Sequence, residues 1–170
     1  VEKIHMEEGE TWRYFKGTKQ PPASWRAMNF DDSEWDAGPS GFGYGDNDDM
    51  TKLSDMRFYE ETANEPGQPG YLSLFIRREF QLRNPSEIKQ LIFRVDYDDG
   101  FIAYLNGRET ARANLDGVTR YNTKAKKVHE AGDSVDLSLI HTSEPTRPDR
   151  ISYAVFCLKK KTTSNIINQH

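Results

Sequence analysis

The sequence predicts an all-β fold, an antiparallel β-sandwich, from two observations. Short segments alternate between apolar and polar residues with a period of two, which is typical of strands with one buried face. Clusters of Gly, Pro, Asn and Asp separate these segments, and no long segment holds helical periodicity. The 170 residues include 12% aromatic side chains, which is enough for one packed domain.

The N-terminal part predicts a short strand followed by turns and a glycine-rich loop. Residues 10–15 (ETWRYF) have the composition of a first strand, and residues 21–24 (PPAS) turn the chain. Residues 31–33 (DDS) form a further turn, since Asp and Ser side chains can bond the following backbone. Residues 38–45 (GPSGFGYG) contain four glycines. They predict a loop whose backbone takes conformations that are strained for residues with a side chain.

The strongest strand signal lies in residues 71–80 (YLSLFIRREF). Their alternation predicts that one face is buried and that the opposite face, with Ser73, Arg77 and Glu79, is polar. The residues predicted on the buried face are Leu72, Leu74, Ile76 and Phe80.

Two further strands and a hairpin are predicted after this segment. Residues 91–95 alternate in the same way, and residues 101–105 are β-rich. The Asn-Gly pair at 106–107 is the strongest short hairpin signal, so residues 108–113 should run back beside 101–105.

The C-terminal segment differs from the rest of the chain. Residues 137–161 closely resemble a translated sequencing-library adaptor, including ISYAVFCL at 151–158 followed by three lysines. We therefore predict a native domain at 1–136 that lacks its last strands and a non-native tail at 137–170. Cys157 is the single cysteine and lies in this tail, so residues 1–136 offer no disulfide, thiolate nucleophile or cysteine-based zinc site.

The charge balance argues against a nucleic-acid partner. The whole chain has a formal net charge of −4, and residues 137–170 carry +3 of it, so residues 1–136 carry −7. Proteins bind nucleic-acid phosphates with Lys and Arg side chains, so an acidic domain is a poor candidate for binding nucleic acid. No apolar run reaches membrane-spanning length, which argues against membrane insertion.

The order of several motifs resembles the galactose-binding-domain-like β-sandwiches. The motifs are WRY at 12–14, FDDSEW at 30–35, GFGYG at 41–45, FIRREF at 75–80 and DYDDGFIAYLNG at 96–107. The resemblance implies an antiparallel jelly roll, similar to the sugar-binding domain of β-glycosidases and to accessory modules of large secreted bacterial proteins. It further implies an extracellular or cell-surface location, neighbouring domains in a parent chain and no catalysis in this chain.

The acidic stretch at 96–100 allows three interpretations. The favoured one is a corner between strands, because Asp98, Asp99 and Gly100 are residues that such a turn needs. Glycoside hydrolysis would need a second carboxyl group across a cleft, and no partner stands out. A structural calcium is the third interpretation, since carboxylates are the ligands that calcium prefers. The candidate calcium ligands are Asp46, Asp48, Asp49, Asp98 and Asp99.

Carbohydrate recognition has its own candidate residues. Asp98 and Asp99 come first, because a related galactose-recognising fold uses an Asp-Asp-Gly turn to hold metal and sugar. The tryptophans at 12, 25 and 35 are expected to fill the core of the sandwich. Aromatic side chains in the glycine-rich loop are expected to be exposed and able to stack on sugar. His5 and His129 are too isolated to indicate a zinc site or a triad. The remaining candidates are Phe42, Tyr44, Arg108 and Arg112.

Together these features predict a non-catalytic carbohydrate-binding or accessory module of a larger extracellular protein. One alternative is the non-catalytic portion of a hydrolase, either a glycosidase or a metallophosphoesterase. The other is a purely structural adhesion domain.

Overall fold

The fold is all-β. The computed structural model describes residues 9–44, 49–56, 70–81, 90–129, 132, 135–141, 150–158 and 163–167. In these ranges the only helical element is one 3₁₀ turn, Ala23–Arg26. The strands are β1 Thr11–Lys16, β2 Asp36–Pro39, β3 Phe42–Gly43, β4 Thr51–Lys52, β5 Ser73–Gln81, β6 Gln90–Asp96, β7 Gly100–Leu105, β8 Arg108–Ala113, β9 Val135–His141, β10 Arg150–Leu158 and β11 Thr163–Ile167.

The strands form two antiparallel sheets. The larger sheet has the order β2-β1-β5-β10-β7-β8, and the smaller one has the order β11-β6-β9. The very short strands β3 and β4 pair in parallel beside them. The prediction of an all-β, antiparallel fold is confirmed, whereas the jelly-roll topology stays a prediction.

The two sheets share one hydrophobic core. Trp12 from β1, Ile76 from β5 and Val155 from β10 bury their side chains on the same side as Phe93 and Val95 of β6. These five residues are at most 1% exposed. Burial of apolar side chains between the sheets therefore makes the sandwich the stable arrangement.

A second aromatic cluster covers the other face of the larger sheet. The Trp25 ring packs edge-on against Phe75 at 5.0 Å and against Tyr104 at 5.5 Å, and it stacks beside Trp35 at 6.3 Å. All three tryptophans are buried, as predicted, but only Trp12 lies in the core between the sheets, whereas Trp25 and Trp35 belong to this second cluster. Strand β5 is consequently buried on both faces from Ser73 to Arg77, so the prediction of one polar face is wrong at Ser73 and, more sharply, at Arg77, whereas Glu79 is only partly buried.

Arg77 anchors the loop that carries this aromatic cluster. Its side chain is fully buried, and its Nε donates to Asp32 Oδ2 at 2.9 Å. Its Nη1 donates to the carbonyl oxygens of Trp25 at 2.5 Å and Ala27 at 3.0 Å. The guanidinium also lies over the Phe30 ring, 5.2 Å from the ring centroid. Three chain segments are thereby joined by one buried cation.

The C-terminal segment contributes the strands β9, β10 and β11 to the two sheets, and the prediction that the native domain lacks its last strands stays a prediction. Strand β9 crosses the predicted boundary at residue 136. Strand β10 lies between β5 and β7 and pairs with both of them. A strand in this position satisfies backbone groups on β5 and β7 that would otherwise form open edges. The adaptor-like origin of residues 137–170 and the domain boundary stay predictions.

The hairpin predicted at 106–107 is confirmed. Asn106 and Gly107 both have positive φ angles, 50° and 81°, as a two-residue hairpin turn requires. Asn106 also binds β10, since its backbone N–H donates to the Ser152 carbonyl at 2.8 Å and its Oδ1 accepts from the Ser152 N–H at 2.9 Å. The returning strand β8 leads into the loop 114–129, which forms part of the candidate site.

Candidate functional site

The predicted acidic corner connects the two sheets. Strand β6 of the smaller sheet ends at Asp96, and β7 of the larger sheet begins at Gly100. Asp99 takes a left-handed conformation with φ 63°, which Asp tolerates better than most residues. Gly100 is held close to β8, because an added Cβ would lie 3.0 Å from the Ala113 carbonyl oxygen. The interpretation of this stretch as a corner matches the geometry.

Asp99 uses its polar groups within the protein. Its backbone N–H donates to the His129 carbonyl at 2.9 Å, and its Oδ1 accepts from the His129 N–H at 3.0 Å. The Asn114 Nδ2 donates to the Asp99 carbonyl at 2.6 Å and also to the Lys127 carbonyl. The Lys126 N–H in turn donates to the Asn114 carbonyl at 3.0 Å. The corner and the loop 114–129 are therefore fixed to each other by hydrogen bonds in which the side chains of Asp99 and Asn114 also take part.

His129 has a defined orientation. Its ring stacks on Tyr97 with a centroid distance of 4.2 Å and an angle of 8° between the planes. Its Nδ1 lies 3.1 Å from the Tyr97 carbonyl oxygen, which can only accept a hydrogen bond. We therefore assign the proton to Nδ1, which leaves the Nε2 lone pair of the neutral ring available as an acceptor.

An open cleft of about 610 Å³ lies between the corner and the loop 114–129. This volume lies within the ordinary range for small-ligand sites, roughly 300–1,000 Å³. The cleft is lined by Tyr97, Asn114, Lys126, Lys127 and His129. Polar groups with fixed positions around an open space suit a hydroxyl-rich or charged ligand.

The predicted ligand residues do not all reach the cleft. Asp99 lies beside it through its bonds to His129 and Asn114, and Asp98 is 6% exposed in the corner. Arg112 is engaged elsewhere, because its Nε and Nη2 donate to Glu109 at 2.6 and 2.9 Å. This hydrogen bonding to Arg112 holds the pKa of Glu109 below its ordinary value.

The glycine-rich loop does not present the predicted aromatic platform. Phe42 is 2% exposed and packs in the core, 5.3 Å from the Tyr14 ring. The prediction that Phe42 is exposed is wrong, because the short strand β3 turns its side chain inward. Tyr44 is partly buried and packs against the same core. Arg108 is exposed on the hairpin, where it does not line the cleft.

The calcium prediction involves residues on both acidic loops. Asp46 and Asp48 lie outside the described residues, and Asp49 is 6% exposed with its carboxylate directly over Gly43. Within the described ranges, no group of three or more His, Cys, Asp or Glu side chains could hold a metal ion. Calcium needs six to eight oxygens, so the described residues alone do not fit it, and the calcium site stays a prediction.

Sequence reasoning missed most of the cleft. Asn114, Lys126 and Lys127 were not among its candidates, and His129 was set aside as isolated. One signal could have found the two lysines and His129, which is the basic run from 118 to 129 in an acidic chain, whereas Asn114 lies outside this run. The contact of Asn114 with Asp99 depends on pairing between β7 and β8, which brings residues 15 positions apart together, and His129 reaches Asp99 from 30 positions away.

A second polar cluster lies at the edge of the inter-sheet core. Asp55 accepts hydrogen bonds from Lys16 Nζ at 2.7 Å and from the Tyr71 hydroxyl at 2.9 Å. Burial of Asp55 raises its pKa, but these two hydrogen bonds and the Lys16 charge outweigh burial and leave the pKa lowered. Burial and the Asp55 carboxylate raise the pKa of Tyr71. The cluster joins β1 to the segments at 55 and 71 and lies apart from the cleft residues.

We expect Asp55→Asn to weaken the fold in a pH-dependent way. Because the folded pKa of Asp55 is below the ordinary 3.8, its ionised form stabilises the fold above that value. The loss of unfolding free energy should be constant above about pH 5 and should shrink as the pH falls through the lowered pKa. The effect should be modest, since the Asp55 side chain is 47% exposed. Urea unfolding of both proteins between about pH 3 and 7 measures it, and a difference that stays constant down to pH 3 would contradict the role of the charge.

No protein family model matches the sequence, and no curated protein matches it. Solved structures do match its fold. The β-glucuronidase of Bacteroides uniformis has a TM-score of 0.56 at 12% identity, with 98% of this chain and 18% of that chain covered. A Bifidobacterium dentium β-glucuronidase complexed with coumarin-3-O-glucuronide has a TM-score of 0.55 at 15% identity, covering 92% and 20%.

A glycosyl hydrolase family 2 member from Bacteroides cellulosilyticus DSM 14838 is similar in the same way, with a TM-score of 0.56 at 11% identity, covering 99% and 20%. This chain thus spans about a fifth of the length of these proteins. The likeness shows a β-sandwich of the kind found as one part of larger glycosidases. No helix among the described residues is long and apolar enough to span a membrane.

Proposed function

We propose that this chain is a non-catalytic, carbohydrate-binding accessory module of a larger extracellular glycosidase. The observation that carries the proposal is the open polar cleft beside the Asp98–Asp99 corner, lined by Asn114, Lys126, Lys127 and His129. Its backbone is fixed by the hydrogen bonds of Asn114 and Asp99, so a ligand would meet groups that are already in place.

The fold supports the same proposal. The solved structures named above are glycosidases, and the chain corresponds in fold to about a fifth of each. A part of that size in a glycosidase suits an accessory module, with catalysis in another part of the parent chain. The carboxylate of Asp99 accepts a backbone hydrogen bond in the corner, as expected of a residue that shapes the chain.

A second role, bracing a neighbouring domain, is favoured by two exposed valines. Val118 and Val128 are 89% and 76% exposed, and both lie on the loop 114–129. Exposed apolar side chains on one loop suit contact with another protein surface. The binding experiment separates the two roles.

Affinity electrophoresis in gels containing neutral or acidic polysaccharides tests the proposal. We expect at least one polysaccharide to retard the protein. Asn114→Ala should weaken this binding by up to about thirtyfold, because it removes the two hydrogen bonds that fix the cleft wall, each worth about 1 kcal/mol. Arg108→Ala serves as the control, since Arg108 is exposed outside the cleft and should leave binding unchanged.

Thermal unfolding of each variant must remain cooperative for the comparison to hold. Loss of binding in Arg108→Ala with full binding in Asn114→Ala would move the site to the hairpin. Absence of retardation on every polysaccharide would reject carbohydrate binding and favour the bracing role.

A further inference from the structure

The loop beside the cleft has a charge opposite to that of the whole chain. Residues 118–129 contain four basic residues and no acidic one, whereas the whole chain has a net charge of −4. The four are Arg120, Lys124, Lys126 and Lys127, and all are exposed. An anionic ligand would therefore be repelled by much of the surface and attracted to this loop.

Most of these cations are available to a ligand. Lys126 pairs with Asp116 at 2.9 Å, but both side chains are more than half exposed, and such pairs contribute little. Lys124 and Lys127 form no ion pair with any residue that the structure describes. Asn114 forms hydrogen bonds with the backbone of Lys126 and Lys127, so the backbone that carries both side chains is held at the cleft.

We propose that the cleft and the basic loop beside it bind an anionic polysaccharide through Lys126 and Lys127, which line the cleft, and through Lys124, which lies on the same loop. This inference rests on the proposed carbohydrate-binding function and adds the ligand's charge. Lysine ammonium groups recognise single anionic groups as point charges, so a sugar carboxylate or a sugar sulfate would satisfy them. The Nε2 lone pair of His129, in the tautomer with its proton on Nδ1, supplies an acceptor for a sugar hydroxyl.

The geometry favours a glycan over a nucleic acid. Single-stranded nucleic acids are bound by cations together with aromatic faces on which bases stack. Tyr97, the aromatic residue that lines the cleft, is 7% exposed, and its ring is in contact with His129 and Phe101. Tyr97 therefore offers a base no open face for stacking, whereas a polyanionic glycan needs only charges and hydrogen bonds.

Affinity electrophoresis of the full chain against four probes tests this inference. The probes are polygalacturonate, dextran sulfate, uncharged dextran and a single-stranded oligonucleotide, each at low and high NaCl. We expect the protein to bind polygalacturonate or dextran sulfate more tightly than dextran, and added salt should weaken this binding because it screens exposed charges. The preferred polyanion identifies the anionic group as carboxylate or sulfate.

Two variants locate the charges. The double variant Lys124→Gln/Lys127→Gln should bind the preferred polyanion about tenfold more weakly, since each exposed charge contact contributes up to about fivefold. Lys52→Gln removes one lysine charge from the exposed side chain on β4 and should leave polyanion binding unchanged. An effect of Lys52→Gln equal to that of the double variant would overturn the location.

The outcomes separate this inference from the proposed function. Salt-insensitive binding of dextran as tight as that of the polyanions would overturn the inference and leave carbohydrate binding intact. Absence of binding to all three polysaccharides would overturn both. Tighter binding of the oligonucleotide than of either polyanion would reject a glycan as the anionic partner.

Discussion

Replacing Arg77 with methionine is expected to lower the free energy of unfolding by about 3–5 kcal/mol. Methionine roughly fills the space, so the loss reports the charge and the hydrogen bonds. The carbonyl groups of Trp25 and Ala27 would lose their donor in a buried site, and the carboxylate of Asp32 would lose its cation. Urea unfolding followed by tryptophan fluorescence measures the change, since Trp25 lies in the segment that Arg77 holds.

Arg78→Met is the matched control for this prediction. The neighbouring arginine is 22% exposed, pairs with Glu10 near the surface and donates to the Thr11 carbonyl at 3.0 Å. Its loss should cost about 1 kcal/mol. Arg77→Lys should fall between the two methionine variants, because one ammonium group cannot reproduce the planar set of donors. Equal, small losses in Arg77→Met and Arg78→Met would contradict the anchoring role.

The strands and the hairpin could be predicted because their signals are local. Alternation and the Asn-Gly pair at 106–107 depend on residues adjacent in sequence, and the strands and the hairpin that they predict are confirmed. At Arg77 the local pattern gives the wrong prediction. A charged residue in an alternating strand indicates a solvated face. The Arg77 side chain is nevertheless buried, because it donates hydrogen bonds to carbonyl groups about 50 positions away in the sequence. The second aromatic cluster was missed for the same reason, since it depends on the loop that Arg77 holds.

The candidate site was predicted in part. The acidic corner was found from its turn residues, whereas the other wall of the cleft comes from residues 114–129. Their approach is fixed by the register of β8 on β7 and by the two bonds of Asn114, which sequence patterns do not report. Phe42 was predicted to be exposed at the site but is buried. The glycine-rich segment predicted as a loop contains a two-residue strand, which turns the Phe42 ring inward.

The C-terminal strand β10 can be tested with one substitution in its buried position. Val155 is 0% exposed in the core between the sheets. We expect Val155→Asp to lower the unfolding free energy by more than about 4 kcal/mol, because it places an unpaired carboxylate among apolar side chains. Val155→Ala should cost about 2 kcal/mol, the ordinary loss for buried methyl groups. Thermal and urea unfolding of the full chain measure both changes.

Val118→Asp is the control, since it makes the same substitution at a side chain that is 89% exposed. It should change stability by less than about 0.5 kcal/mol. A large effect at Val155 with none at Val118 would show that residues 150–158 are part of the core, whatever the origin of their codons. If instead Val155→Asp left the unfolding transition unchanged, β10 would not be part of the folded core. Residues 1–136 would then have to close the gap between β5 and β7 in another way.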